Sequence, residues 1–202
     1  MNQLDAYWAK QVPVSPAPAY GGFERLTAAG HRIIVARNGT FAEVVRPWLY
    51  ARIRIGGNSG FALPFGELNE VLEVTQRIPR DVLATFQAQA LAAFPNETAA
   101  WVVWNEMSGY RLTPVAESEA SVGHVRFERP ILDDGEHLVL DLHSHGSLPA
   151  FFSATDDQDD LGEIKLAAVV GSLSERAPTW VLRLCLLGMQ IPWPDQHTLF
   201  TE

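Results

Sequence analysis

The stretch that decides the fold runs His143-Ser144-His145-Gly146-Ser147-Leu148-Pro149-Ala150-Phe151-Phe152-Ser153-Ala154-Thr155-Asp156. Just before it, His137-Leu-Val-Leu-Asp-Leu142 is dense in strand formers and follows the turn signal Asp133-Asp134-Gly135. His143 and His145 therefore end a buried strand, and being two apart they point to one side of it. Gly146 and Pro149 break that strand. Ser153 is placed to cap a short helix running through Asp156 to Leu161, with acidic residues in its first turns. Strand, loop and helix in that order can return Asp156 to the two imidazoles. Two imidazoles and a carboxylate make a three-ligand set for Zn²⁺ with a fourth position left for water. A hydroxyl beside such a set, here that of Ser153, can stabilise a developing oxyanion.

The spacing H-x-H-x(7)-S-x-x-D resembles the motif of the JAMM (Mov34/MPN/PAD-1) metallopeptidases. The longer run from Asp141 to Asp160 resembles the protein A subfamily of the PRTRC cassette, encoded beside ThiF-like and ParB-like proteins on plasmids and integrated elements. This likeness covers about residues 76 to 190. It implies an α/β fold, a JAMM/MPN-type mixed sheet flanked by helices, with zinc held by His143, His145 and Asp156. One departure is Gly146, where many members of the family have proline. Glycine cannot stiffen the loop as proline does.

The resemblance also implies an upstream carboxylate that does not bind the metal, in a segment resembling hydrophobic-Pro-x-Glu after a helix and at the head of a strand. Phe94-Pro95-Asn96-Glu97 fits, followed by Thr98 to Trp104. Residues 79–94 carry Leu83, Phe86, Ala90, Leu91 and Phe94 at helical spacing, and Pro95 ends that helix. Glu97 is thus expected to be the acid/base. Glu106 is its rival, but Asn105 to Gly109 reads as a hairpin turn.

By this resemblance the protein is a zinc metallopeptidase or isopeptidase. Zinc lowers the pKa of its water, Glu97 takes that proton and passes it to the leaving amine, and Ser153 donates to the oxyanion. The substrate would be a peptide or a ubiquitin-like protein cut near its C-terminus, and a ThiF-like protein of the same cassette is a candidate partner. The alternative is a non-catalytic MPN scaffold or binding module in a PRTRC complex, which filled ligand positions disfavour. An amidohydrolase also begins from H-x-H, but too little chain follows His145 for its ~250-residue barrel.

The formal charge of −9 argues against a phosphate-backbone binder. Asp156, Asp157, Asp159, Asp160 and Glu163 concentrate that charge beside the motif, as a solvated helix end or a selector of basic peptides. The single cysteine, Cys185, sits in an apolar strand and precludes an intramolecular disulfide. No apolar run nears the ~20 residues of a membrane span, and no signal pattern opens the chain, so a cytoplasmic protein is expected.

Outside the motif, residues 1–75 read as a β-rich subdomain preceding the domain at 76–202. Residues 12–22 look linker-like, and strands 31–37 and 40–47 flank an Asn38-Gly39 hairpin turn. A third strand from Leu49 to Ile55 sets Ala51, Ile53 and Ile55 opposite Arg52 and Arg54, before a loop at 56–60. The subdomain either positions a partner or covers a sheet edge. Later strands are expected at 97–106, 110–116, 122–129, 137–142, 164–171 and 180–187, with an irregular tail from Ile191. Trp101 and Trp104 fall on opposite strand faces. His31, His124, His137 and His197 read as structural or exposed. Asp141 either orients a ligand imidazole or serves a turn or surface role.

Overall fold

The computed structural model describes residues 2–57 and 60–201, which form two compact units, Met1–Gln76 and Arg77–Glu202. The first unit begins with helix α1 (Gln3–Gln11) and is otherwise a five-stranded sheet in the order β1-β2-β3-β4-β5. Its strands are β1 (Val14–Pro16), β2 (Gly30–Ala36), β3 (Gly39–Arg46), β4 (Leu49–Gly56) and β5 (Val71–Val74). Ala17, Ile34, Ala36, Phe41 and Leu68 form its core. The segment that reads as a linker instead supplies β1, whose Pro16 is tolerated because the strand lies at an edge. The hairpin turn falls on Arg37 and Asn38, one residue earlier than the Asn-Gly signal suggests, with Ala36 paired to Gly39. The Asn38 side chain clasps the Leu68 backbone through both its amide atoms. On β4, Arg52 is buried rather than exposed, stacked 4.7 Å from the Phe23 ring, while Ile55 lies 41% exposed. The charge of Arg52 is tolerated there because its Nε donates to the Asn69 carbonyl. Residues 58 and 59 of the expected loop lie outside the described residues.

The second unit is a mixed α/β fold. Helix α2 (Arg80–Ala93) precedes β6 (Ala99–Asn105), β7 (Gly109–Pro114), β8 (Ala116–Ser121), β9 (His124–Glu128) and β10 (Glu136–Ser144). After α3 (Ala154–Asp159) come β11 (Ile164–Gly171), β12 (Thr179–Leu186), β13 (Met189–Pro192) and α4 (Gln196–Leu199). Six strands make one sheet in the order β13-β12-β11-β10-β6-β7, and β8 and β9 pair separately. The stripe that α2 buries is Val82, Phe86 and Ala90. Leu91 and Phe94 are 48% and 40% exposed instead, because the sheet-facing stripe is rotated toward Val82. The tail is ordered: β13 pairs with β12, and Leu199 and Phe200 are buried around the Ile78 backbone. Trp101 packs edge-on against Phe127 of β9, and Trp104 stacks on His137. His31 lies half-buried and His197 exposed, whereas the side chain of His124 lies outside the described set. Among the described residues, no helix is long and apolar enough to cross a membrane.

One topological fact positions the site. β10 is parallel to β11 but antiparallel to β6. A parallel neighbour requires a crossover, and here that crossover is the loop and helix carrying Ser153 and Asp156. The antiparallel neighbour brings the start of β6 beside the end of β10.

Candidate metal centre

His143 lies on β10, opposite Ala99 on one side and Val169 on the other. His145 is just past the strand, its amide still donating to the Val170 carbonyl at 2.8 Å. Both rings turn their Nε2 atoms to one point, 3.1 Å apart. Asp156 Oδ1 stands 3.3 Å from His143 Nε2, and the donor atoms of all three residues lie within 4.8 Å of one another. A tetrahedral zinc with bonds of ~2.0–2.1 Å sets its donors about 3.3 Å apart. The three residues fit that ion. Burial lowers the pKa of His143, and burial together with the His143 charge lowers that of His145. Both imidazoles are therefore neutral near pH 7, with lone pairs available. His145 Nδ1 is buried without a hydrogen bond of normal geometry, although the nearby Pro149 backbone favours its protonated form. The Phe151 ring meets His145 edge-on at 4.5 Å.

Asp156 is held by a reciprocal cap. Ser153 Oγ accepts from the Asp156 amide at 3.2 Å, and Asp156 Oδ2 accepts from the Ser153 amide at 2.6 Å. The hydroxyl accepts there, so its own hydrogen remains to be donated.

Glu97 lies two residues before β6. The register that pairs His143 with Ala99 continues: the Ser144 amide donates to the Thr98 carbonyl, and the Thr98 amide donates to Ser144 Oγ, each at 3.0 Å. One step further along the chain comes Glu97, which shares a groove with His145. Gly146 permits this closeness, since at its φ of 53° a Cβ would come within 2.9 Å of the Pro95 carbonyl oxygen. Glu97 is 6% exposed, and burial together with the Asp156 charge raises its pKa to about 7. It lines one groove of about 530 Å³ with His143, His145, Ser153 and Asp156. Glu106 is exposed in the turn after β6, and that groove does not include it.

The acidic run is only in part a solvated helix end, with Asp159 exposed. Asp160 is buried, bonded to Arg183 at 2.6 Å and to Lys165 at 3.0 Å, while Asp157 meets Arg183 at 2.6 Å. Lys165 also meets Glu163 and Asp141, and Asp141 thus pairs with an ammonium rather than with an imidazole. Burial alone would lower the pKa of Lys165, but Asp141 and Asp160 hold it above the ordinary value. Burial and Asp160 push the Cys185 thiol up to about 12, so it stays protonated. The sequence reading missed Lys165 and Arg183. Their signal was a lone cation in each of two otherwise apolar strands, which must find carboxylates to be buried.

Residues 79–184 match the family model for prokaryotic homologs of the JAB domain. The chain belongs to that family. Residues 2–75 match a domain of unknown function (DUF2016). No curated protein matches the chain. Among solved structures, a solution structure of a Desulfitobacterium hafniense protein aligns at 19% identity with a TM-score of 0.41, covering 52% of this chain and 81% of its own. The second unit of this JAB homologue thus has a fold of JAB/MPN type, with a His-His-Asp group able to hold a metal.

Proposed function

We propose that this JAB homologue is a zinc-dependent hydrolase of amide or isopeptide bonds. The observation that carries the reading is Glu97: a buried carboxyl half-titrated at about pH 7, in the same groove as three converging metal donors. His143, His145 and Asp156 hold the ion, which when bound supplies an acidified water and polarises the scissile carbonyl. Glu97 accepts a proton from water on its carboxylate and returns it to the leaving nitrogen. Ser153 Oγ donates to the oxygen on which charge develops. Phe151 packs edge-on against His145 at the same groove.

The peptide bond joining a ubiquitin-like protein to another chain is the substrate that the family resemblance suggests. The run from Asp141 to Asp160 supports a place in the PRTRC protein A subfamily, with a ThiF-like protein as partner and the cytoplasm as its setting.

Elemental analysis and cleavage of a ubiquitin-like fusion test this together. His143→Ala and Asp156→Ala should be isolated without stoichiometric zinc, keeping at most a weak affinity for it. Glu97→Gln should keep zinc and lose ~10²–10⁴-fold in rate, while Glu106→Gln stays active. A zinc-loaded wild type that cleaves nothing would instead favour a scaffold.

A further inference from the structure

Helix α3 carries a metal ligand, yet its six residues include no buried side chain. Apolar packing therefore does not fix its place, and six residues are too few to hold a helix by backbone cooperativity alone. Ion pairs do. Arg183 Nη1 donates to Asp157 Oδ1 at 2.6 Å, and its Nη2 and Nε donate to Asp160 Oδ2 at 2.6 and 3.1 Å. Its guanidinium carbon lies 3.8 Å from the centre of the Phe152 ring. One cation thus grips the chain on both sides of the Ser153–Asp156 cap.

Lys165 completes the arrangement from the adjoining strand. Its Nζ bridges Asp160 on the helix end and Asp141, two residues before His143 on β10. Arg183 sits opposite Ala167 and Lys165 opposite Cys185, so the two cations are two register steps apart on neighbouring strands. Both are buried, at 5% and 2% exposure. Buried pairs contribute little net stability, but they can select one register over others.

We propose that Arg183 is a positioning residue for the metal site: it sets Asp156 against His143, and Lys165 ties the same helix to the strand of the two histidines. The inference rests on the metal reading above, and it adds that the ligand set is held ready by ion pairs. The fork of an arginine suits two carboxylates at once, which a lysine ammonium cannot reproduce.

The test is zinc affinity of the full chain by chelator competition, with thermal melting of the metal-free protein measured alongside. Arg183→Met should weaken zinc binding ~10–100-fold, the range found when residues that orient metal ligands are removed. Arg183→Lys should recover part of that loss. Asp157→Asn, which alters a half-exposed partner, should weaken binding in the same direction. Against Asp156→Ala, where His143 and His145 leave a weaker affinity, Arg183→Met should cost nothing more. Unchanged affinity in Arg183→Met overturns the proposal, as do equal losses in both backgrounds, which would mark general loosening. Should Arg183→Met fail to fold, the same comparison with Asp157→Asn decides. A wild type that takes up no zinc would overturn the metal site itself, and this proposal with it.

Discussion

Asp156 turns its two carboxylate oxygens to different tasks: Oδ2 receives the Ser153 amide at 2.6 Å, while Oδ1 faces His143 Nε2 at 3.3 Å. The oxygen in the cap fixes the carboxyl plane, and that plane aims the other oxygen. Ser153 is bound into the same cap, so on the proposed function its loss would reach both the metal and the oxyanion.

Ser153→Ala is therefore expected to do two separable things. It removes the cap, at ~0.5–2 kcal/mol of stability, and it removes a donor worth ~10²–10³ in kcat. Ser153→Thr keeps both functions and should restore most of the rate. If Ser153→Ala slows cleavage no more than ~10-fold while lowering the melting temperature, the residue is only a cap and the oxyanion role falls.

Glu97 gives a pH signature in the metal-free protein. Its folded pKa of about 7 lies above the ordinary carboxyl value of 4.5. In that window the folded chain keeps a proton that the unfolded chain has released, so stability falls as pH rises through it. Glu97→Gln removes this burden and should raise the melting temperature at about pH 8 but not near the ordinary carboxyl pKa. The activity of the zinc-loaded wild type should rise through about pH 7 as the base is freed. An equal melting shift at both pH values would show that the buried charge is not its cause.

Gly146→Ala should lower the melting temperature by several degrees, since the substitution adds αL strain of ~1 kcal/mol or more and a contact with the Pro95 carbonyl. Gly146→Pro should be worse, because proline holds φ near −65° where the chain needs 53°. Proton transfer should suffer with stability, since Pro95 leads directly into Glu97. A Gly146→Pro protein that is stable and active would show that the loop has another conformation open to it.

The second unit is expected to stand alone. A chain beginning at Arg77 keeps the buried Ile78 and its bridge to Phe200, and should fold cooperatively and bind one zinc. Circular dichroism and elemental analysis check this. A molten product would show that residues 1–76 complete its core.

Much of the site was legible because its signals are local. The β-forming run before His143, the breakers Gly146 and Pro149 and the capping serine each act within a few residues, and the strands at 164–171 and 179–186 follow from their apolar runs. Two features were not local. The pairing of β6 with β10 helps bring Glu97 and His145, 48 residues apart in the chain, to one groove, and pairing register depends on the whole sheet. The charges of Asp157 and Asp160 looked solvated because their partners, Arg183 and Lys165, lie beyond the end of the helix in sequence. The expectation of an irregular tail from Ile191 misses that Ile191 and Pro192 end β13, because an edge strand accepts proline.

His143, His145 and Asp156 come from one short segment spanning the β10–β11 crossover, whereas Glu97 comes from the segment that leads into β6. The two are therefore separately heritable. On the proposed function, one change at position 97 would extinguish turnover and leave fold, ion and groove intact. What remained would be a receptor for the same partner, without cleavage. On that reading, descent from catalyst to adaptor would take a single mutational step, and the reverse would be equally short.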